Sequence, residues 1–292
     1  MLVYLDCDAT RIADTSTRGL TNIDGLFGVP GVRGDVFDRP EDDGAVEPYA
    51  QFYPARLVML QGDVWGLTEA ACLTEFAAID SALSVGVRGY VTIRWQATTG
   101  GTQFQGTARL AGPVLPSLSG GDPGTRIAYQ AQLRFPDPQW YDQTEQSSTA
   151  AAATTTGGIP FPIPFPIPFS QGSSGGTVVA TNSGNGRAWP TITIQGPING
   201  PVVGNVTAGE YLYFDRLNLS SGQTLLITTN PFGRAATVAG VSVQGALRWS
   251  QSAWPSISPG VAATFQFYSQ GGGTGVGTAL TVAWRNAYIT PA

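Results

Sequence analysis

The sequence predicts a mainly β protein of two domains: an N-terminal β-barrel or sandwich carrying one helix, then a C-terminal β-sandwich of jelly-roll type. Three observations carry this. Residues 126–135 alternate Ile127, Tyr129, Ala131, Leu133 and Phe135 with Arg126, Gln130, Gln132 and Arg134, a period of two that requires one buried face. Residues 67–83 hold a single helical stripe, with Cys72, Phe76, Ile79 and Leu83 at i, i+4, i+7 and i+11. Beyond Thr177, short strand patterns are separated by turns such as TNSGNG, GPINGP and SQGGGTG, at the spacing of an all-β sandwich.

At 292 residues the chain has room for two domains with real cores. Its hydrophobic share of 42% is that of a globular protein. Charged residues make up only 12%, about half the usual share. Such a surface suits a subunit packed against others, and equally a neutral soluble β-protein. All fifteen basic residues are arginine, and there is no His or Lys. Without them, catalytic triads, lysine bases and most general acid–base schemes lose their usual members. A carboxylate-only glycosidase is left, since it needs just two suitably spaced acids.

The net charge of −5 argues against broad binding to nucleic acid or to an anionic membrane. Cys7 and Cys72 lack the spacing and the histidines of a zinc site. They could form one disulfide, but Cys72 falls on the helical stripe, so buried free thiols are expected. No stretch reads as the roughly 20 apolar residues of a membrane span. The start, MLVYLDCDATR, lacks the features of a signal peptide, so the product is expected in the cytosol at first.

In chain order, residues 1–145 form the N-terminal domain. Its acidic run holds Asp35, Asp38, Glu41, Asp42, Asp43 and Glu47, interrupted by Arg39 and Pro40. It reads as a solvated or interface loop, with a cation site as the alternative. Arg33-Gly34-Asp35 is too short a motif to carry an argument. Thr68 and Glu69 open the helix as N-terminal residues should. After Gly86 and Gly89 comes a strand with Val91, Ile93 and Trp95 on one face.

Residues 146–176 read as a linker. Residues 147–158 are Ser, Thr, Ala and Gly, a flexible composition. Then Ile159 to Phe169 reads IPFPIPFPIPF, with proline at 160, 162, 164, 166 and 168. As a strand it would pair along one edge only, because proline has no N–H to donate. As a polyproline spacer it would simply be stiff. The C-terminal domain spans 177–292, with candidate strands at 177–182, 189–195, 210–215, 223–229, 262–268 and 278–286. Trp189, Trp249, Trp254 and Trp284, with Tyr211, Tyr213, Tyr268 and Tyr288, are either core or sugar-stacking residues. No Gly-rich stretch leads from a strand into a helix, so no phosphate-binding loop is read.

Read together, several pieces resemble the distal tail proteins of long-tailed, siphovirus-type phages, including the minor tail proteins of actinobacteriophages. They are Gly25-Leu26 before Pro30, Arg39-Pro40 with Asp43-Gly44-Ala45, and Tyr53-Pro54-Ala55-Arg56 entering a strand. Next come FPDPQWYD at 135–142, the FPIPFP connector and AWPTITIQGP at 188–197. Pro259-Gly260 and Trp284-Arg285-Asn286-Ala287-Tyr288 follow, in order and over nearly the whole chain.

The resemblance implies an N-terminal ring-forming domain, homohexameric at the distal end of the tail tube, and a C-terminal domain that is often galectin-like. It implies contacts with the tail tube protein, the tape measure protein, the baseplate hub or tail-tip proteins, and in many phages a receptor-binding protein. It brings no catalytic, cofactor-binding or metal-binding residues and no membrane, and nucleic acid only transiently in the channel, if at all. The expected place is the virion, after assembly in the host cytoplasm. The alternative is a carbohydrate-binding tail-tip protein that helps recognise the host surface, with the glycosidase third.

Overall fold

The computed structural model describes residues 2–13, 16–34, 37–39, 43, 45–46, 51–118, 125–152, 176–270 and 274–291. The proline run at 159–169 and most of the acidic run at 35–47 lie outside the described residues. The chain divides into two compact units, Met1–Thr144 with Tyr288–Ala292, and Glu145–Ala287. The second is thus an insertion in the first, and the chain passes between them twice. The sequence reading gave residues 288–292 to the C-terminal domain, whereas here they complete the first unit.

The first unit contains β1 (Tyr4–Cys7), β2 (Thr10–Ala13), β3 (Arg18–Asp24), β4 (Phe37–Asp38), β5 (Ala45–Val46), β6 (Arg56–Trp65), α1 (Glu69–Arg88), β7 (Val91–Gln96), β8 (Gln103–Leu110), β9 (Leu115–Leu118), β10 (Arg126–Phe135) and β11 (Trp140–Asp142). The main antiparallel sheet runs β2-β1-β7-β8-β10-β6-β3 and stays open among the described residues. Of barrel and sandwich, the open sheet excludes a closed barrel. The strand with the clearest alternation, β10, pairs with β6 along its whole length, from Arg126 opposite Trp65 to Phe135 opposite Arg56. Ile127, Tyr129, Ala131, Leu133 and Phe135 are all buried, as period two requires.

Helix α1 begins where Thr68 accepts a hydrogen bond from the Ala71 N–H at 3.2 Å, with Glu69 in the first turn and Arg88 in the last. Cys72, Ile79, Leu83 and Gly86 are its buried residues. The helix, expected over 67–83, runs on to Arg88, straight through Gly86. The reason is packing. A Cβ on Gly86 would stand 2.9 Å from the backbone nitrogen of Leu110, so glycine lets the helix close onto β8 and tertiary contact overrides propensity. By length and composition α1 could cross a membrane, but its buried stripe lies in the core of the sheet, as in any core helix.

The second unit contains β12 (Gln146–Ala151), β13 (Thr177–Thr181), β14 (Thr191–Gln195), β15 (Ile198–Asn199), β16 (Pro201–Asn205), β17 (Glu210–Tyr213), β18 (Asn218–Leu219), β19 (Thr224–Thr228), β20 (Ala235–Val238), β21 (Val241–Ser242), β22 (Ala262–Ser269) and β23 (Ala279–Trp284). Two antiparallel sheets, β12-β23-β14-β19-β20-β21 and β13-β22-β16-β17, form the sandwich. Ile192, Ile194, Leu225, Ile227, Leu280 and Val282 of one sheet, and Val178, Val203, Leu212, Phe265 and Phe267 of the other, are buried.

Residues 146–151 correct the linker reading. They form edge strand β12, paired with β23 from Gln146 opposite Trp284 to Ala151 opposite Ala279. None of its side chains is fully buried, so it needs no apolar alternation and is held by its ladder and the Thr149–Thr281 hydroxyl contact at 2.8 Å.

Replacing Gly86 with Leu is expected to cost about 1–3 kcal/mol by forcing α1 off β8, read as a lower urea midpoint; an unchanged midpoint would refute the packing account. Cys7 and Cys72 are free and fully buried, and burial pushes the Cys7 thiol up to about 12 and Cys72 upward too. Both should label with a thiol reagent only as fast as the protein unfolds, and rapid labelling without denaturant would contradict this.

Candidate functional site

The first unit is organised around one buried cation. Arg56, at the start of β6, is 3% exposed, and among the described residues its hydrogen bonds go to backbone carbonyls. Nε donates to Pro138 O at 2.9 Å, Nη1 to Gly25 O at 3.0 Å and Gly28 O at 3.1 Å, and Nη2 to Ile289 O at 2.6 Å. The guanidinium also lies over the Trp140 ring, 5.6 Å from its centroid. Burial pulls its pKa down to about 10, still far above neutrality, so the charge is kept. The flat, five-donor fork of arginine suits this divergent set of acceptors.

Three segments far apart in sequence are tied together in this way. In the first, Gly25 has φ +81°, and a Cβ there would fall 2.0 Å from Leu57 O, so only glycine can bring its carbonyl to Arg56. In the second, Asp137-Pro138-Gln139-Trp140-Tyr141 is a self-bonded turn. The Gln139 N–H donates to Asp137 Oδ1 at 3.1 Å and the Tyr141 hydroxyl to Asp137 Oδ2 at 2.6 Å. Burial, then the Asp137 carboxylate, pushes the Tyr141 pKa well above its ordinary value.

Trp140 then enters the core, donating from Nε1 to Leu26 O at 3.2 Å. Its ring meets Phe135 at 4.8 Å and Trp95 at 5.5 Å, and it rests on Gly106, where a Cβ would stand 2.9 Å from the ring. The third segment is the C-terminal return, in which Tyr288 meets Phe104 edge-on at 5.3 Å and hydrogen-bonds Asp142.

The quoted motifs therefore converge. Gly25-Leu26, Arg56, DPQWYD and Tyr288 form one cluster, whereas AWPTITIQGP builds β14 of the other unit and its Pro190 carbonyl accepts from the Thr229 hydroxyl at 2.8 Å. Of the aromatics weighed for sugar stacking, Trp284 is core, with Nε1 donating to Thr181 O at 2.9 Å. Trp189 and Trp254 are half-buried, and Trp249 is exposed.

Among the described residues no three His, Cys, Asp or Glu come together as a metal site. Asp63 and Asp215 are both held low, chiefly by hydrogen bonds from Arg126 and Arg248, the opposite of what a general acid needs. A cleft of about 400 Å³ opens beside Asp63, but that carboxylate already takes Arg126 at 2.7 Å and Thr21 at 2.9 Å.

The first unit instead presents uncovered apolar groups. Leu67 is 100% exposed, and Leu73 and Val87 on the outer side of α1 are 50% and 65% exposed.

Set against solved structures, the chain is similar to the Dit protein (gp 19.1) of phage SPP1, with a TM-score of 0.67 at 13% identity, covering 97% of this chain and 98% of that one. The fold is that of a phage distal tail protein. Chains of the phage P2 baseplate in its activated conformation, with Ca and with Sr, are also similar, each with a TM-score of 0.52 at 11% identity over 92% of this chain and 91% of that one. No protein-family model matches the sequence, and no curated protein is similar to it by sequence. The expected mainly β, sandwich-containing architecture is thus borne out across both units of the distal tail fold.

Replacing Arg56 with Met leaves buried carbonyls without donors and should cost about 3 kcal/mol or more. Lysine, with three donors on one nitrogen, should recover only part of that. Urea unfolding checks both, and full stability of the Met variant would remove the clamp from the account.

Proposed function

We propose that this chain is a structural, non-enzymatic virion protein whose copies assemble through the first unit into a homohexameric ring, joining the distal end of a phage tail tube to the tail tip or baseplate. The observation that carries the reading is the end-to-end likeness to SPP1 Dit, a protein described as a paradigm of the hub adsorption apparatus in phages infecting Gram-positive bacteria. Both units are matched, not one borrowed domain. The sixfold count rests on the resemblance to distal tail proteins. So do the neighbours: tail tube protein, tape measure protein, hub or tail-tip proteins and a receptor-binding protein.

The surface of the first unit supports the reading. A closed ring is built from head-to-tail contacts between unlike faces. The outer side of α1 exposes Leu73 and Val87 by half or more, apolar groups that a neighbouring copy would cover. The chain's low charge is in keeping with a subunit that spends its life covered. Two free, buried thiols are in keeping with assembly in a reducing host cytoplasm.

Sedimentation of the purified full chain should give a hexamer at micromolar concentration. The double substitution Leu73→Glu, Val87→Glu should shift it to monomer while leaving the circular dichroism spectrum unchanged. A wild-type chain that stays monomeric at every concentration, or settles as a trimer, would overturn the ring.

A further inference from the structure

Three tyrosines form a layer on the outer face of the four-stranded sheet β13-β22-β16-β17. In register, Val202 of β16 stands opposite both Tyr213 of β17 and Tyr268 of β22, and Gly204 stands opposite Tyr211. Val202 and Gly204 are buried, and a Cβ on Gly204 would stand 2.5 Å from the Tyr211 ring, so the rings lie down over both. The Tyr211 and Tyr213 centroids are 6.1 Å apart at 40°, and the hydroxyls of Tyr213 and Tyr268 are hydrogen-bonded to one another. Tyr268 remains 41% exposed.

The border of this layer is neutral as a whole. Arg248 lies over Tyr213, 5.8 Å from the ring centroid, and donates to Asp215 at 2.6 Å, while Gln270 donates to the other oxygen of Asp215 at 3.1 Å. A charged ligand would have to compete with that ion pair. An uncharged one leaves it intact.

The chain reaches the layer directly from its proline run. The described residues resume at Gly176, whose carbonyl accepts from the Phe267 N–H at 3.3 Å, and the next residue of β22 is Tyr268. Gly176 has φ +92°, and a Cβ there would stand 2.9 Å from the Phe267 ring, so glycine permits this close entry. Only SQGSSG, at 170–175, separates it from Phe169. From Phe169 to Gly176 the backbone can span about 25 Å, and crossing the four strands takes about 14 Å. All three rings are within reach. A tether this short also gives an effective concentration of about millimolar.

We infer that the tyrosine layer is the docking surface for the chain's own proline run, residues 159–169, laid as an extended ribbon across Tyr268, Tyr213 and Tyr211. The run consists of Pro, Ile and Phe alone, so it has no side chain that can hydrogen-bond, and its prolines have no N–H. What it offers a partner is apolar surface and backbone carbonyls. Proline-rich segments of this make-up are held in aromatic-lined grooves, where their stiffness reduces the entropy lost on docking. Of the paired Tyr213 and Tyr268 hydroxyls, one donates to the other, which leaves the second proton for a carbonyl of the run. The inference concerns the second unit alone and stands or falls independently of the ring.

The full chain carrying Phe165→p-benzoylphenylalanine, irradiated in solution, provides the test. The photoproduct should be a cross-link within one chain, running at monomer mass on a denaturing gel and mapped by mass spectrometry to Tyr211, Tyr213, Tyr268 or their immediate neighbours. Adding Tyr211→Ala or Tyr268→Ala should lower its yield by about fivefold. Adding Phe232→Ser, which removes an exposed aromatic on the turn between β19 and β20, should leave the yield unchanged. Because the map comes from the chain with all three tyrosines in place, it decides the matter even if an alanine variant fails to fold. A cross-link to another surface, a product at twice the mass from the run of one copy lying on a second, or no cross-link at all would each overturn the inference.

Discussion

A single guanidinium sets the architecture of the first unit. Arg56 carries its charge into a buried site, and the backbone carbonyls of Gly25, Gly28, Pro138 and Ile289 share it. Removing such a group from water is costly unless its donors are satisfied. The fold must therefore deliver all four carbonyls at once, and they come from a loop after β3, the turn before β11 and the last residues of the chain. Trp140 is the second half of the device. It caps the guanidinium on one side and fills the core against Phe135, Trp95 and Gly106 on the other. An insertion as large as the second unit can be carried because the residues on either side of it, up to Thr144 and from Tyr288 onward, belong to this clamped unit.

Much of the fold was legible in the sequence where local pattern and burial agree. The alternation in 126–135 became β10 with unchanged ends, and the strands at 177, 191, 210, 224, 262 and 279 fell within two residues of their expected starts. What escaped is instructive. Gly86 looks like a helix breaker until the Leu110 backbone behind it is seen, so its role is tertiary and leaves no local mark. Gln146–Ala151 is an edge strand without an apolar face, so composition alone reads it as a connector. The pairing of Ile289 with Arg56 spans almost the whole chain, and no spacing rule reaches that far.

The candidate sites were legible in a different way. The motif pieces behind the resemblance to distal tail proteins were recognisable as words before their physics was visible. In the structure DPQWYD becomes an Asp-capped turn that aims one carbonyl and one indole at Arg56. The absence of His and Lys, by contrast, was legible at once.

The central claim is that this chain is a ring at the junction of tail tube and tail tip. An electron-microscopy reconstruction of the intact particle's tail tip tests it most directly. The account predicts six copies around the axis, with the first unit forming a continuous ring below the last tube ring and α1 facing the adjacent copy. Density for the chain as a lone spike, or at threefold copy number, would contradict it.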